Sequence, residues 1–231
     1  MTQLALPLSL ADHAVFESFL PAGNELLIAA LRDAADLERR QGAWVWGKAA
    51  SGKTHLLQAV CARAGDAAMY LPMTMLQTAG PGILAGLEAR SVLCIDDIQL
   101  AAGSSDWEQG LFRLYNAVAE TDHCLVVASD APPRQVPFAL PDLLSRLSRL
   151  PVYRVASLAD ENLGEALKLR ARHRGLELPD ETTRYLLRHS RRDMRSLYAL
   201  LDTLDSASLA QQRRLTVPFV REVLETSVKT T

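Results

Sequence analysis

Short apolar runs alternate with longer stretches of helical period along the first two thirds of the chain. Ala43-Trp44-Val45-Trp46, Ala67-Ala68-Met69-Tyr70-Leu71, Ser91-Val92-Leu93-Cys94-Ile95 and Cys124-Leu125-Val126-Val127-Ala128 are nearly continuous in hydrophobicity, as strands covered on both faces must be. Before and between them, residues 24–40, His55 to Ala62 and Trp107 to Ala119 carry helical patterns, while 73–90 is weakly helical and broken at Gly80-Pro81-Gly82. That alternation predicts a parallel sheet with helices on both faces. The pattern changes after Val155. Residues 160–174, 180–189, 193–208 and 217–225 read as helices, with Asp160, Asp180 and Asp193 near three of the starts and Pro179 and Pro218 where a first turn tolerates proline. The expected organisation is an α/β domain over 12–155, a small all-helical domain over 156–231, and an extended tail (1–11) before them.

One segment between a strand and a helix carries chemistry. Gly47-Lys48-Ala49-Ala50-Ser51-Gly52-Lys53-Thr54 fits G-x-x-x-x-G-K-[ST], a phosphate-binding loop. Its glycines let several backbone N–H groups surround a phosphate. Lys53 would reach the terminal phosphates, the Thr54 hydroxyl would hold Mg2+, and the following helix adds its positive end. Gly47, Ser51, Gly52, Lys53, Thr54 and His55 are the candidate nucleotide-binding residues, for ADP or ATP. An ordinary small-residue turn, or a decayed site that keeps only the shape, is the competing reading.

Other candidates follow from strand ends, where parallel sheets gather functional groups. Asp96 would bind the magnesium, directly or through water, and Asp97 would position or deprotonate an attacking water; a turn with two solvated acids is the alternative. Ser129-Asp130 ends the next strand and would help place that water, against an ordinary Asp-Pro-type turn. Arg146 suits charge stabilisation on a transferring phosphoryl group, with Arg149 a competitor and a plain surface role the alternative. Arg195 would reach from the helical domain to the nucleotide, or belong to a solvated arginine stripe with Arg184, Arg188 and Arg191 or Arg192.

Composition narrows the classes. A net charge of −2 gives no sign of bulk nucleic-acid binding, but residues 1–150 hold 11 basic and 16 acidic side chains while 151–231 hold 14 and 11. The mildly basic C-terminal part suits phosphate or an acidic partner, or a solvated surface. Cys61, Cys94 and Cys124 lie in apolar runs without metal-ligand spacing and read as reduced core residues, which makes a cytoplasmic protein the expectation. No apolar stretch is long enough to span a membrane and no export signal is evident.

Taken together, these segments resemble the AAA+ ATPases, and among them the nucleotide-binding region of the DnaA family of bacterial replication initiators. Gly52-Lys53-Thr54-His55-Leu56 is similar to that family's phosphate loop and Ile95-Asp96-Asp97-Ile98-Gln99 to its acidic strand. Ser129-Asp130 with Pro132-Pro133 resembles sensor 1, and Asp193-Met194-Arg195-Ser196-Leu197 resembles sensor 2 of the lid. Leu144-Ser145-Arg146-Leu147 matches the segment carrying the arginine finger, and Phe16-Glu17-Ser18-Phe19 with Gly23-Asn24 the segment over the adenine. The likeness spans roughly 12–225.

Counterparts of DnaA's N-terminal helicase-contact domain and C-terminal duplex-binding domain are not expected in this sequence, and Arg90 is the only basic residue from Ala64 through Phe112, where DnaA grips single strands. A cationic track with aromatic platforms is expected for that grip, so no strong direct, sequence-specific DNA binding is expected. Gln3-Leu4-Ala5-Leu6-Pro7-Leu8 resembles the peptide by which bacterial proteins bind the DNA polymerase III β sliding clamp, with Gln3 at the pocket rim, Leu4, Leu6 and Leu8 for the apolar cleft, and Pro7 biasing Leu6 toward an extended shape. A plain apolar tail is the other reading. The combination is similar to the Hda family of DnaA-homologous regulatory inactivators. That resemblance implies a clamp-bound protein that stimulates hydrolysis of DnaA-bound ATP through Arg146 offered in trans, with bound ADP as its activating ligand, and so limits replication initiation. Head-to-tail association with DnaA or as a homo-oligomer is the implied assembly. The intact Asp96-Asp97 pair leaves intrinsic ATP hydrolysis open. The alternatives are a DnaA-like helicase loader or remodelling ATPase, and a clamp-tethered adaptor without catalytic effect.

Overall fold

A computed structural model of the protein describes residues 14–38, 41–191 and 193–228. The clamp-motif candidates Gln3, Leu4, Leu6, Pro7 and Leu8 lie outside them. The chain forms two compact units: one spans Gly23–Ser157 with the described residues before Glu17, the other Glu17–Ala22 with the described residues from Leu158 on.

The first unit is a five-stranded parallel sheet with flanking helices. Its strands are β1 (Ala43–Trp46), β2 (Ala68–Pro72), β3 (Val92–Asp96), β4 (Cys124–Ser129) and β5 (Val152–Arg154), in the order β2-β3-β4-β1-β5. The helices are α1 (Glu25–Ala35), α2 (Lys53–Ala64), the four-residue α3 (Met73–Leu76), α4 (Ser105–Ala119) and α5 (Pro141–Leu147). Successive strand residues point to opposite faces. Trp44, Leu93, Ile95, Leu125 and Val127 supply one face, closed by Trp107, Leu111, Leu114 and Val118 of α4 and by Leu143 and Leu147 of α5. On the other face α2 packs on β3 and β4, with Leu56, Leu57 and Val60 fully buried.

The predicted strands are present. The broken stretch 73–90 resolves into α3 and two 3-10 turns at Pro81–Leu84 and Leu87–Ala89. Two elements were not foreseen. β5 is only three residues long and largely exposed, so it has no hydrophobic run to reveal it. α5 lacks a side-chain cap of its own.

The second unit contains α6 (Leu163–His173), α7 (Asp180–His189), α8 (Met194–Gln211) and α9 (Val217–Val228). Its core is Leu163, Leu167, Leu186, Leu197, Leu201, Leu204, Phe219 and Val220. Asp193 caps α8 by accepting the Ser196 N–H at 2.9 Å and the Ser196 hydroxyl at 2.8 Å. Among the described residues, no helix is long and apolar enough to cross a membrane.

Candidate functional site

The sheet order sets the site. The chain leaves β1 near one side and returns at β2 on the far edge, so β1 and its neighbour β4 flank the point where strand order reverses. The loop after β1 therefore opens at the carboxyl ends of the strands, with the ends of β3 and β4 beside it. The Gly47 N–H donates to the Ser129 carbonyl at 3.3 Å, which joins the start of the loop to the end of β4.

Sterics explain the loop's residues. A Cβ at Gly47 would stand 2.9 Å from Ser51 Oγ and 3.3 Å from Val155, so a side chain there would have to push both aside. Gly52 has φ of 100°, a conformation that costs an L-residue strain and glycine little. α2 begins at the next residue, with its first-turn N–H groups facing the loop.

Lys53 is 8% exposed. Its Nζ donates to the carbonyls of Gly47 at 2.8 Å and Lys48 at 3.1 Å. It makes no ion pair among the described residues. A buried ammonium held by carbonyls alone is an incomplete environment for a charge. Ser51 Oγ is also buried without a hydrogen-bond partner. An anionic phosphate entering the loop would answer both.

From the first turn of α2, the Thr54 hydroxyl donates to Asp96 Oδ2 at 2.7 Å. Asp96 is buried at the end of β3. A hydroxyl and a carboxylate, both hard oxygen donors, suit Mg2+ completed by phosphate and water oxygens. Asp97 turns out of the strand at φ 54°, ψ 43° and heads a 3-10 turn. Its N–H donates to Asp96 Oδ1 at 3.1 Å, and Gln99 Nε2 donates to Asp97 Oδ1 at 3.1 Å. Both carboxylates are thus oriented by neighbours, with Asp97 the more accessible.

Ser129 is fully buried, and its hydroxyl lies 3.5 Å from Asp130 Oδ1. Asp130 is exposed. The Trp44 indole donates to the Ala131 carbonyl at 3.0 Å and ties this turn to β1. The His55 ring has Nε2 2.9 Å from the Val15 carbonyl, so its side chain meets the segment preceding α1. Phe16 is buried with the Arg32 guanidinium 5.4 Å from its ring, and Asn24 bonds both backbone groups of Ala156.

Arg146 lies in the last turn of α5, half-buried, and makes no ion pair among the described residues. It shares no hydrogen bond with the phosphate loop or Asp96-Asp97. Arg195, exposed in the first turn of α8, belongs to the helical unit.

Three further side chains hold neighbouring groups in place. Tyr70 of β2 donates its hydroxyl to Asp96 Oδ2 at 2.7 Å. Burial, then the Asp96 charge, push its phenol far above the usual range, so it stays a donor. Gln99 orients Asp97. Glu108 of α4 is fully buried and accepts three backbone N–H groups, from Gly103, Ala139 and Leu140. A carboxylate on the apolar face of an amphipathic helix, between Trp107 and Leu111, was the visible signal for Glu108. Tyr70 sat in a strand-like run and gave none.

Two family models match separate parts of the chain. The bacterial DnaA ATPase domain matches residues 85–150, and the lid domain of Hda matches residues 160–224. Solved structures share the fold. Domain III of the replication initiation protein DnaA from Thermotoga maritima is 20% identical, with a TM-score of 0.76, covering 94% of this chain and 98% of that one. AMPPCP-bound DnaA from Aquifex aeolicus is 21% identical, with a TM-score of 0.65, covering 84% and 65%. The RuvB Holliday junction branch migration motor of Thermotoga maritima is 19% identical, with a TM-score of 0.62, covering 89% and 70%.

Proposed function

We propose that this chain, an Hda/DnaA-like AAA+ protein, is a regulatory inactivator of DnaA. The match of residues 160–224 to the Hda lid carries the reading. The sheet and phosphate loop alone would suit an initiator or a motor equally well. In this account the loop binds ADP or ATP through Gly47, Ser51, Gly52, Lys53, Thr54 and His55, with Asp130 and Arg195 as the further candidate nucleotide ligands. Thr54 and Asp96 hold Mg2+. The bound nucleotide acts as a switch, with ADP the activating ligand.

Arg146 acts on a different nucleotide, the ATP of an adjoining DnaA subunit. AAA+ subunits meet head to tail, and a planar, permanently ionised guanidinium suits the spread charge of a transferring phosphoryl group. The absence of an ion pair on Arg146 among the described residues is compatible with such a role. Gln3, Leu4, Leu6, Pro7 and Leu8 would tether the protein to the DNA polymerase III β clamp on DNA, in the cytoplasm.

The test is hydrolysis of labelled ATP prebound to DnaA, with the clamp either loaded on DNA or absent, and with a Gln3→Ala variant alongside. Stimulation that needs both the loaded clamp and Gln3 is expected. No stimulation by a folded, clamp-bound protein would contradict the proposal.

A second reading is favoured by the intact pairing of Thr54 with Asp96 beside Asp97. It is a remodelling ATPase that turns over its own ATP, with Asp97 positioning the attacking water. Its own ATPase rate separates it from the first.

A further inference from the structure

We propose that Tyr70 is a positioning residue for the metal half of the nucleotide site, setting how strongly Mg2+ contributes to nucleotide binding. This rests on reading the loop as a magnesium–nucleotide site.

Placement comes first. In the β2–β3 register Tyr70 pairs with Cys94, and Pro72 with Asp96. Residues two apart share a face, so Tyr70 and Asp96 lie on the same face as diagonal neighbours, within an aromatic side chain's reach. The phenol closes that diagonal at 2.7 Å.

The hydrogen-bond count around Asp96 gives the role. An ionised carboxylate offers about four acceptor sites. Thr54 and Tyr70 occupy two on Oδ2, and the Asp97 N–H occupies one on Oδ1. One site on Oδ1 is left for a metal-bound water. The Thr54 proton points at Oδ2, which keeps the hydroxyl's lone pairs for a cation. Without Tyr70, Oδ2 would be held by Thr54 alone, and the carboxylate could rotate away from the geometry that orients that hydroxyl. Partners one shell out from a metal hold its ligands in this way.

ADP affinity of the full chain, measured by calorimetry in EDTA and across a Mg2+ series, tests this with wild type, Tyr70→Phe and Thr54→Ala. Phenylalanine keeps the ring and its packing and removes only the hydroxyl. We expect Tyr70→Phe to raise the Mg2+ midpoint about tenfold while ADP affinity in EDTA stays within about twofold of wild type. Thr54→Ala should remove the Mg2+ increment altogether. An unchanged midpoint in Tyr70→Phe, or an equal loss of affinity with and without Mg2+, would overturn the proposal, the second being the mark of a packing role. A wild type that binds ADP without any Mg2+ increment overturns it too, and leaves the nucleotide reading standing. A wild type that binds no ADP sinks both.

Discussion

The carboxylate of Glu108 accepts the backbone N–H of Leu140 at 2.6 Å, from a residue 32 positions further along the chain. Leu140 is the N-cap of α5, the helix whose last turn carries Arg146, and it has no capping side chain of its own. Glu108 supplies that cap from α4, and a carboxylate at a helix N-terminus also meets the positive end of its dipole. Its other oxygen takes Gly103 and Ala139. The position of Arg146 thus depends on a buried acid in another helix.

Glu108→Ala should therefore destabilise the sheet unit by about 1–3 kcal/mol, because three backbone donors on exposed or half-buried residues lose a fully buried acceptor. Denaturant unfolding would register this as a lower midpoint. Glu108→Gln, which keeps the shape and one acceptor oxygen, should fall between the two. A midpoint for Glu108→Ala within experimental error of wild type would contradict the role given to Glu108.

Lys53→Ala should weaken ADP binding by roughly 10- to 100-fold, the range for losing a charge-assisted hydrogen bond. Folding should survive, since the ammonium spends its bonds only on Gly47 and Lys48 carbonyls. Calorimetric titration alongside a melting curve separates the two effects. Unchanged ADP affinity would remove the loop from the binding site.

Asp193→Ala should lower the melting temperature at neutral pH, by a margin that disappears in acid. The Ser196 N–H, and then its hydroxyl, hold the Asp193 carboxyl below the usual carboxylate range. A folded-state pKa below the unfolded one stabilises the fold above the unfolded value, near 4, and the benefit is lost as pH falls through the folded value. Melting curves of both proteins from pH 7 down to about pH 3 should converge at the acid end. A gap that persists unchanged would mean that the cap does not act through its charge.

Much of this was legible in the chain. The loop Gly47–Thr54 reads from local chemistry, because its glycines and lysine answer to sterics and charge within eight residues. Asp96 reads from its place at the end of an apolar strand. What was hidden depends on partners distant in sequence. Tyr70 gains its role only through the register of β2 on β3, and α5 only through the Glu108 cap. β5 is a three-residue edge held by pairing with β1 rather than by its own hydrophobicity. Nor did the pattern anticipate that Lys53 would fold back onto its own loop.

The account turns on Arg146 acting on a neighbour's ATP. The direct measurement is single-turnover hydrolysis of ATP prebound to DnaA, with DNA-loaded clamp and either wild type or Arg146→Ala, after confirming that both bind ADP and the clamp equally. The account predicts that the variant loses most of the acceleration, by about 10³-fold or down to the unstimulated rate, as removal of an arginine finger does elsewhere. An Arg146→Ala protein that accelerates DnaA's hydrolysis as well as wild type would contradict it.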